Sequence, residues 1–223
     1  MLLSSIVFAA DKKTNGGKLF LLFGVFIRDR REMEKRSTGE ITDQVLMLAV
    51  RDGDLEKLGI LFERHHYRLF NFLFRLTGNR HLSEDLVQEV FVRILKYRHT
   101  YRGENQFTTW LFQVARNARI DHARQNPRED AHNECSMPDL ASPSPTPAEN
   151  AEQQDQMRIL LDALTKLTEQ RREILLLRGF QGLKFEEIAQ VLGCSVSTVK
   201  GRAFRAIREL KIAVDKLKGD RTL

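Results

Sequence analysis

Little in this chain can hold it together covalently. Its 223 residues include two cysteines, Cys135 and Cys194, too few for a disulfide framework or a structural zinc site. They read as free thiols in a reducing compartment, which places the chain in the cytoplasm. The five prolines all lie between Pro127 and Pro147, so nothing else in the sequence forbids helix. The apolar run LFLLFGVFI, residues 19–27, falls well short of the roughly 20 residues that span a membrane. Lys12, Lys13 and Lys18 precede it as in a signal peptide, but RDRRE follows where small cleavage-site residues belong. No membrane insertion is expected. Residues 1–40 read as an N-terminal extension, with Met33 as a candidate start. Alternating strand patterns, internal repeats and a GxxxxGK[ST] phosphate loop are missing. So is any cluster of nucleophiles or metal ligands. An enzyme, a bound cofactor and a small-molecule substrate are therefore not expected. His65 and His66 are adjacent and would point apart on a helix, so they read as packing or surface residues.

What is present is charge and helical spacing. Hydrophobic residues make up 42%, enough to build cores, and the formal net charge is +6, which favours an acidic partner. The positive charge is clustered. Residues 196–218 hold seven Lys/Arg against two acids, and residues 107–128 hold four Arg against one Asp. The fold class expected is all-α: two small helical domains, 41–125 and 151–218, joined by a Pro-rich flexible linker at 126–150 whose SPSPTP tract is extended.

Each domain reads as four helices. In the first, Thr42 caps a helix that stops near Gly53, and the second helix ends at Gly78. Ser83 is expected to cap the third, which buries Leu86, Val90, Ile94 and Tyr97, and the fourth runs from about Thr108 to Arg124. In the fourth, Trp110, Leu111, Val114 and Ala118 face the core, while Gln113, Arg116, Arg119 and Arg124 project elsewhere. In the second domain the spacing predicts a helix striped by Met157, Leu160, Leu161, Leu164 and Leu167. Thr168 then caps a helix that stops at Gly179, FEEIAQVL stops at Gly193, and Ser195 caps the last. The two helices around GCS form a helix-turn-helix signature. On the last helix Val196, Val199, Ala203, Ile207 and Leu210 share an apolar face. Thr198, Gly201, Arg202, Arg205 and Arg208 lie opposite, with Lys200 at the flank. Such an edge suits a DNA major groove, where arginine forks onto guanine. Ser197 and Thr198 suit phosphates or bases near the helix start.

The first domain carries two further patterns. Aromatic residues beside arginines in NQFTTWLFQVARNARIDHAR suit single-stranded nucleic acid, with Asn105 and Gln106 placed to read a base turned out of the stack. Asp85, Gln88 and Glu89, with Val92 along the same face, would repel phosphate and suit a basic protein surface. By charge alone, that face reads rather as a solvated helix side.

HLSEDLVQEVFVRILKYRHTYRGENQFTTWLFQVARNARIDHAR resembles region two of a bacterial sigma factor. LTEQRREILLLRGFQGLKFEEIAQVLGCSVSTVKGRAFRAIREL resembles region four. Their order and short spacing are similar to the extracytoplasmic-function (ECF) group of the sigma-70 family. The resemblance implies that Asp85, Gln88, Glu89 and Val92 bind core RNA polymerase at its β′ clamp helices, with a second contact to the β flap. It implies that Asn105, Gln106, Phe107 and Trp110 capture the melted −10 element, and that Arg116, Asn117, Arg119 and Arg124 follow the non-template strand. Ser197, Thr198, Lys200, Gly201, Arg202, Phe204 and Arg205 would read the −35 element. Partners implied are core polymerase, promoter DNA and an anti-sigma factor, which the linker would let wedge between the domains. Lys184 departs from the serine that often caps the scaffold helix in this family. The reading from another class is a stand-alone helix-turn-helix regulator.

Overall fold

A turn glycine and two capping side chains set the first half. Thr42 sits in extended backbone and its hydroxyl accepts the Val45 amide (3.4 Å), starting α1, Asp43–Arg51. Helix α2, Glu56–Thr77, ends where Gly78 turns left-handed at φ 72°. Asn79 follows at once in extended backbone, and its side chain accepts the Leu82 amide (3.1 Å). Helix α3 is thus Arg80–Tyr97, followed by one 3-10 turn at Arg98–Thr100. Helix α4 is Phe107–Gln125. The structure, a computed structural model, describes residues 41–126 and 147–219, the backbone alone for 147–154. The N-terminal extension, the run at 19–27 and most of the linker lie outside the described residues.

In the second half α5 is Pro147–Thr165, so helix begins inside the stretch expected to be linker. Proline suits this position, because a helix's first amides have no intrahelical partner. Helix α6, Glu169–Leu175, runs into a π-type turn, Leu176–Phe180, in which the Gln181 amide reaches back to the Leu176 carbonyl (3.0 Å). The expected stop at Gly179 therefore moves. Gly179 is buried within the turn, and the left-handed residue is Gly182 at φ 72°. Thr168 occupies the capping position without a side-chain bond. Helix α7, Phe185–Leu192, begins with Glu187 accepting the Lys184 amide (2.6 Å), which is half of a capping box. It closes in a Schellman turn: Gly193 at φ 64° donates to the Gln190 carbonyl (3.3 Å), and Cys194 to that of Ala189 (3.1 Å). Ser195 then accepts the Thr198 amide (3.2 Å) and starts α8, Val196–Gly219.

All regular structure among the described residues is helical. In the first half α2 is the central element, packed on α1, α3 and α4. Leu61, Leu69, Phe72 and Leu73 are buried there, with Phe72 edge-on to Phe112 of α4 at 5.0 Å. In the second half α8 packs on α5, α6 and α7. The halves meet where α4 packs against α7 and α2 packs against α6 and the π-type turn. The described residues of both halves belong to one compact unit.

Several apolar faces are rotated from expectation. On α3, Leu86, Val90 and Ile94 are buried as spaced, but Tyr97 is 43% exposed at the helix end, and Leu82, Val87 and Phe91 complete the core. On α8 the buried line is Val199, Ala203, Ala206, Leu210 and Val214; Ile207 is 42% exposed and Val196 half-buried. Alanine at 206 lets the helix seat closely on its neighbours, which turns Ile207 outward. On α5, Ile159 and Ala163 join Leu160 and Leu164, with Leu167 buried just beyond the helix, while Met157 and Leu161 are half-buried. On α4, Trp110 and Val114 are half-buried, and Phe112 and Ala115 take core places beside Leu111 and Ala118.

Ser83 is not a cap but lies one turn inside α3, fully buried, donating to the Asn79 carbonyl (2.6 Å) beside Thr77 (3.0 Å). The capping role passes to Asn79, so Asn79→Ala should lower stability by about 1 kcal/mol, read as a fall in the urea midpoint at unchanged slope.

Candidate nucleic-acid interface

The loop before α4 is built from below by aromatic rings. Phe107 is 1% exposed and sits 5.2 Å from His65 and 6.4 Å from Tyr101, ring to ring. Trp110 lies half-buried beside Tyr101 at 5.2 Å. The Tyr101 hydroxyl donates to the Asn105 carbonyl (3.2 Å), and burial, with the Asp43 charge adding to it, pushes its phenol up to about 12. Gly103 turns left-handed at φ 74°, and a Cβ there would stand 3.3 Å from Leu48, so the loop is fitted tightly over α1. On this floor Asn105 and Gln106 are exposed. Phe107 therefore supports the loop from beneath instead of standing in it.

Residues distant in sequence brace the same loop. Gln44 donates to Gln106 Oε1 at 2.6 Å. Asp43 bonds both His65 Nε2 (2.7 Å) and Arg64 Nη1 (2.8 Å), and the same Arg64 nitrogen reaches the Ile41 carbonyl (2.8 Å). Burial alone would raise the Asp43 carboxyl, but the hydrogen bonds to His65 and Arg64 outweigh it and hold the pKa below the ordinary value. Sequence reasoning missed Gln44 and this cluster. No local pattern links Gln44 to Gln106, 62 residues on.

The four strand-tracking candidates on α4 divide. Asn117 and Arg124 are exposed. Arg119 is not: it is 5% exposed and pairs with Glu169 of α6 at 3.0 Å. Half-buried Arg116 meets Glu173 at 3.3 Å. Glu173 is 8% exposed, and burial pushes its carboxyl up to about 7, with Glu169 adding to the rise and Arg116 and Arg119 opposing it. The expectation that Arg119 projects away from the core fails because α6 covers it.

Helix α3 presents Asp85, Gln88, Glu89 and Val92 together on its exposed side, with Val92 59% exposed. Glu89 also accepts from Arg93 (2.6 Å), which reaches Asp121 of α4 (2.6 Å), so part of this acidity is compensated. On α8, Ser197, Lys200, Gly201, Arg202, Phe204 and Arg205 are exposed, Phe204 by 62%, and Thr198 is half-buried. A Cβ at Gly201 would meet nothing within 4 Å, so that side of the helix is open. Arg202 and Arg205 share a cleft of about 710 Å³ with Arg116, Arg119, Glu169 and Glu173. The structure thus gathers the arginines of the two expected DNA-reading surfaces around one space, while the α3 face stands apart.

An all-helical chain with a capped helix-turn-helix and an open, arginine-bearing second helix is of the DNA-binding class. Residues 61–129 match the family model for sigma-70 region 2, and residues 157–210 match that for sigma-70 region 4. Over 176 residues the chain is 31% identical to the ECF RNA polymerase sigma-E factor of Haemophilus influenzae, covering 75% of this chain and 92% of that one. It is 34% identical over 161 residues to the RNA polymerase sigma factor CarQ of Myxococcus xanthus, covering 72% and 91%. Among solved structures, CnrH in complex with the cytosolic domain of CnrY matches with a TM-score of 0.58 at 25% identity, covering 78% of this chain and 97% of that one. The chain belongs to the ECF group of the sigma-70 family.

The raised Glu173 pKa gives a measurable pH dependence. The groups facing it are Arg116 and Arg119 of α4 and Glu169 of its own helix. The native protein binds this proton more tightly than the unfolded chain, so the associated stability is complete below pH 4.5 and is lost as pH rises through about 7. Relative to Glu173→Gln, the wild type should lose on the order of 3 kcal/mol across that window, followed by thermal melts at a series of pH values.

Proposed function

We propose that this chain is a promoter-recognition subunit: it binds core RNA polymerase, recognises −35 and −10 elements, and starts transcription without catalysing a step itself. The observation that carries the reading is the pairing, in one chain, of an exposed acid-and-amide face on α3 with an open arginine edge on α8. A stand-alone regulator needs the second and has no use for the first.

In this reading Asp85, Gln88, Glu89 and Val92 dock on the β′ clamp helices, where Val92 supplies apolar contact and the acids meet basic side chains. The second half engages the β flap. Asn105 and Gln106 hold a −10 base turned out of the stack. Gln44 orients the Gln106 amide, and Phe107 and Trp110 form the floor and wall. Unstacking that base costs a few kcal/mol, offset by its capture, so no nucleoside triphosphate is needed to open the duplex. Arg116, Asn117, Arg119 and Arg124 follow the non-template strand. Arg202 and Arg205 reach base edges of the −35 duplex, Ser197, Thr198 and Lys200 hold its backbone, Gly201 permits close approach, and Phe204 packs on the groove wall. The chain works in the cytoplasm as two domains, 41–125 and 151–218, with an anti-sigma factor as a further partner. Of the described residues, no helix is long and apolar enough to cross a membrane.

Transcription in vitro with core polymerase on a library of randomised promoters tests the whole reading. Recovered templates should share two spaced motifs; recovery no different from core enzyme alone refutes it. Asp85→Lys with Gln88→Lys should abolish capture by core polymerase at unchanged helix content by circular dichroism. Full promoter activity of that variant would favour the stand-alone regulator. Arg205→Ala should weaken −35 binding by about 1–3 kcal/mol and relax base preference at one position; an equal loss on all sequences would make Arg205 a phosphate contact.

A further inference from the structure

Helix α1 runs along the loop that precedes α4 and touches it at both ends. Leu48 stands 3.3 Å from where a Cβ would lie at Gly103. One turn earlier, Gln44 Nε2 donates to Gln106 Oε1 at 2.6 Å. Both partners start from anchored backbone. The first turn of α1 is held by Asp43, which bonds His65 (2.7 Å) and Arg64 (2.8 Å) of α2. The His65 ring lies 5.2 Å from that of Phe107, the residue after Gln106. Gln106 caps α4 with its backbone alone. Its carbonyl accepts the Thr109 amide (3.0 Å) and the Trp110 amide (3.3 Å), and its side chain makes no capping bond. That exposed side chain is left to Gln44. A primary amide is planar, with its acceptor and its two donors on opposite limbs. Holding Oε1 against α1 therefore turns Nε2 away from α1, and that nitrogen has no acceptor among the described residues. Gln106 faces outward as a donor.

We propose that Gln44 is a positioning residue for promoter reading: by binding Gln106 Oε1 it fixes which limb of the Gln106 amide meets the −10 base, and so which base is accepted. The inference rests on the assignment of Gln106 to that base. Cytosine and thymine carry opposite hydrogen-bonding groups at ring position 4 (an amine against a carbonyl) and at position 3 (a bare nitrogen against N–H). Adenine and guanine are opposed in the same way at positions 6 and 1. An outward N–H selects the member of a pair that offers an acceptor at the contact. An outward oxygen selects the other member, whichever of the two positions is met. Reversing the Gln106 amide should therefore exchange cytosine with thymine, or adenine with guanine, and should not exchange a purine with a pyrimidine.

The test is selection from the randomised promoter library by holoenzyme carrying the full-length chain, with the recovered bases counted at each −10 position. Gln106→Ala locates the position by flattening its base preference. Gln44→Glu is almost the same size, but its ionised carboxylate can only accept, so Gln106 must donate to it and present Oε1. The preferred base at that position should change to the other base of the same ring size. The ratio of the two should shift by about tenfold, with the remaining −10 positions and the −35 element unchanged. Gln106→Glu presents oxygen whichever way it turns and should favour the same base as Gln44→Glu. Gln44→Leu leaves the amide free to turn and should bring the ratio of the two bases close to one. If both Gln44 variants keep the wild-type base, or lose transcription equally with every base, Gln44 is only a brace; the proposal is then overturned while Gln106 stays at the base. If Gln106→Ala flattens no position, the assignment of Gln106 to DNA falls, and this inference falls with it.

Discussion

Arginine keeps its charge inside a protein, so each guanidinium that folding takes from water needs an acceptor. This demand organises the molecule. Arg64 is answered by Asp43, which braces the loop ahead of α4. Arg93 is answered by Glu89 and Asp121, tying α3 to α4. Arg172 is answered by backbone carbonyls at the ends of α2 and α5 and just beyond. Arg119 and Arg116 are answered by Glu169 and Glu173. Where the answer is incomplete the chemistry registers it: burial lowers the Arg75 guanidinium to about 10.

The same side chain that serves packing also serves recognition, and the two uses compete. A guanidinium paired inside the chain is unavailable to a phosphate, and one left in water is available to any. Arg202, Arg205 and Arg124 are of the second kind, Arg119 of the first, and Arg116 lies between. On α3, Glu89 is partly satisfied by Arg93, which leaves Asp85 and Gln88 as the face's outward polar groups and Val92 as its apolar one.

Much of this was legible in the sequence because it is local. Thr42, Gly78, Gly193 and Ser195 act within one helical turn of themselves, and each does what its chemistry suggests. The helix-turn-helix and the exposed face of α3 follow from such signals. Where two local signals compete, sequence reasoning chose wrongly: Asn79 wins over Ser83 because Gly78 has already turned the chain, and Gly182 over Gly179 because the π-type turn adds a residue. Tertiary choices left no mark to read. Whether Ala206 or Ile207 seats α8 depends on the helices beneath it, and Arg119 reads as a surface cation until α6 is laid over it. The likeness of the region-two and region-four segments to sigma factors supplied what spacing alone did not, a role for the face of Asp85 and Gln88.

The corner at Gly78 and Asn79 joins two long helices with almost no slack, since α2 ends at Thr77 and α3 begins at Arg80. A joint this short behaves as a stiff elbow: α3 cannot swing without dragging the final turn of α2. That turn carries the Leu76 carbonyl gripped by Arg172. Force applied at the outer face of α3 therefore arrives, with little loss to bending, at the rivet between the two halves of the molecule.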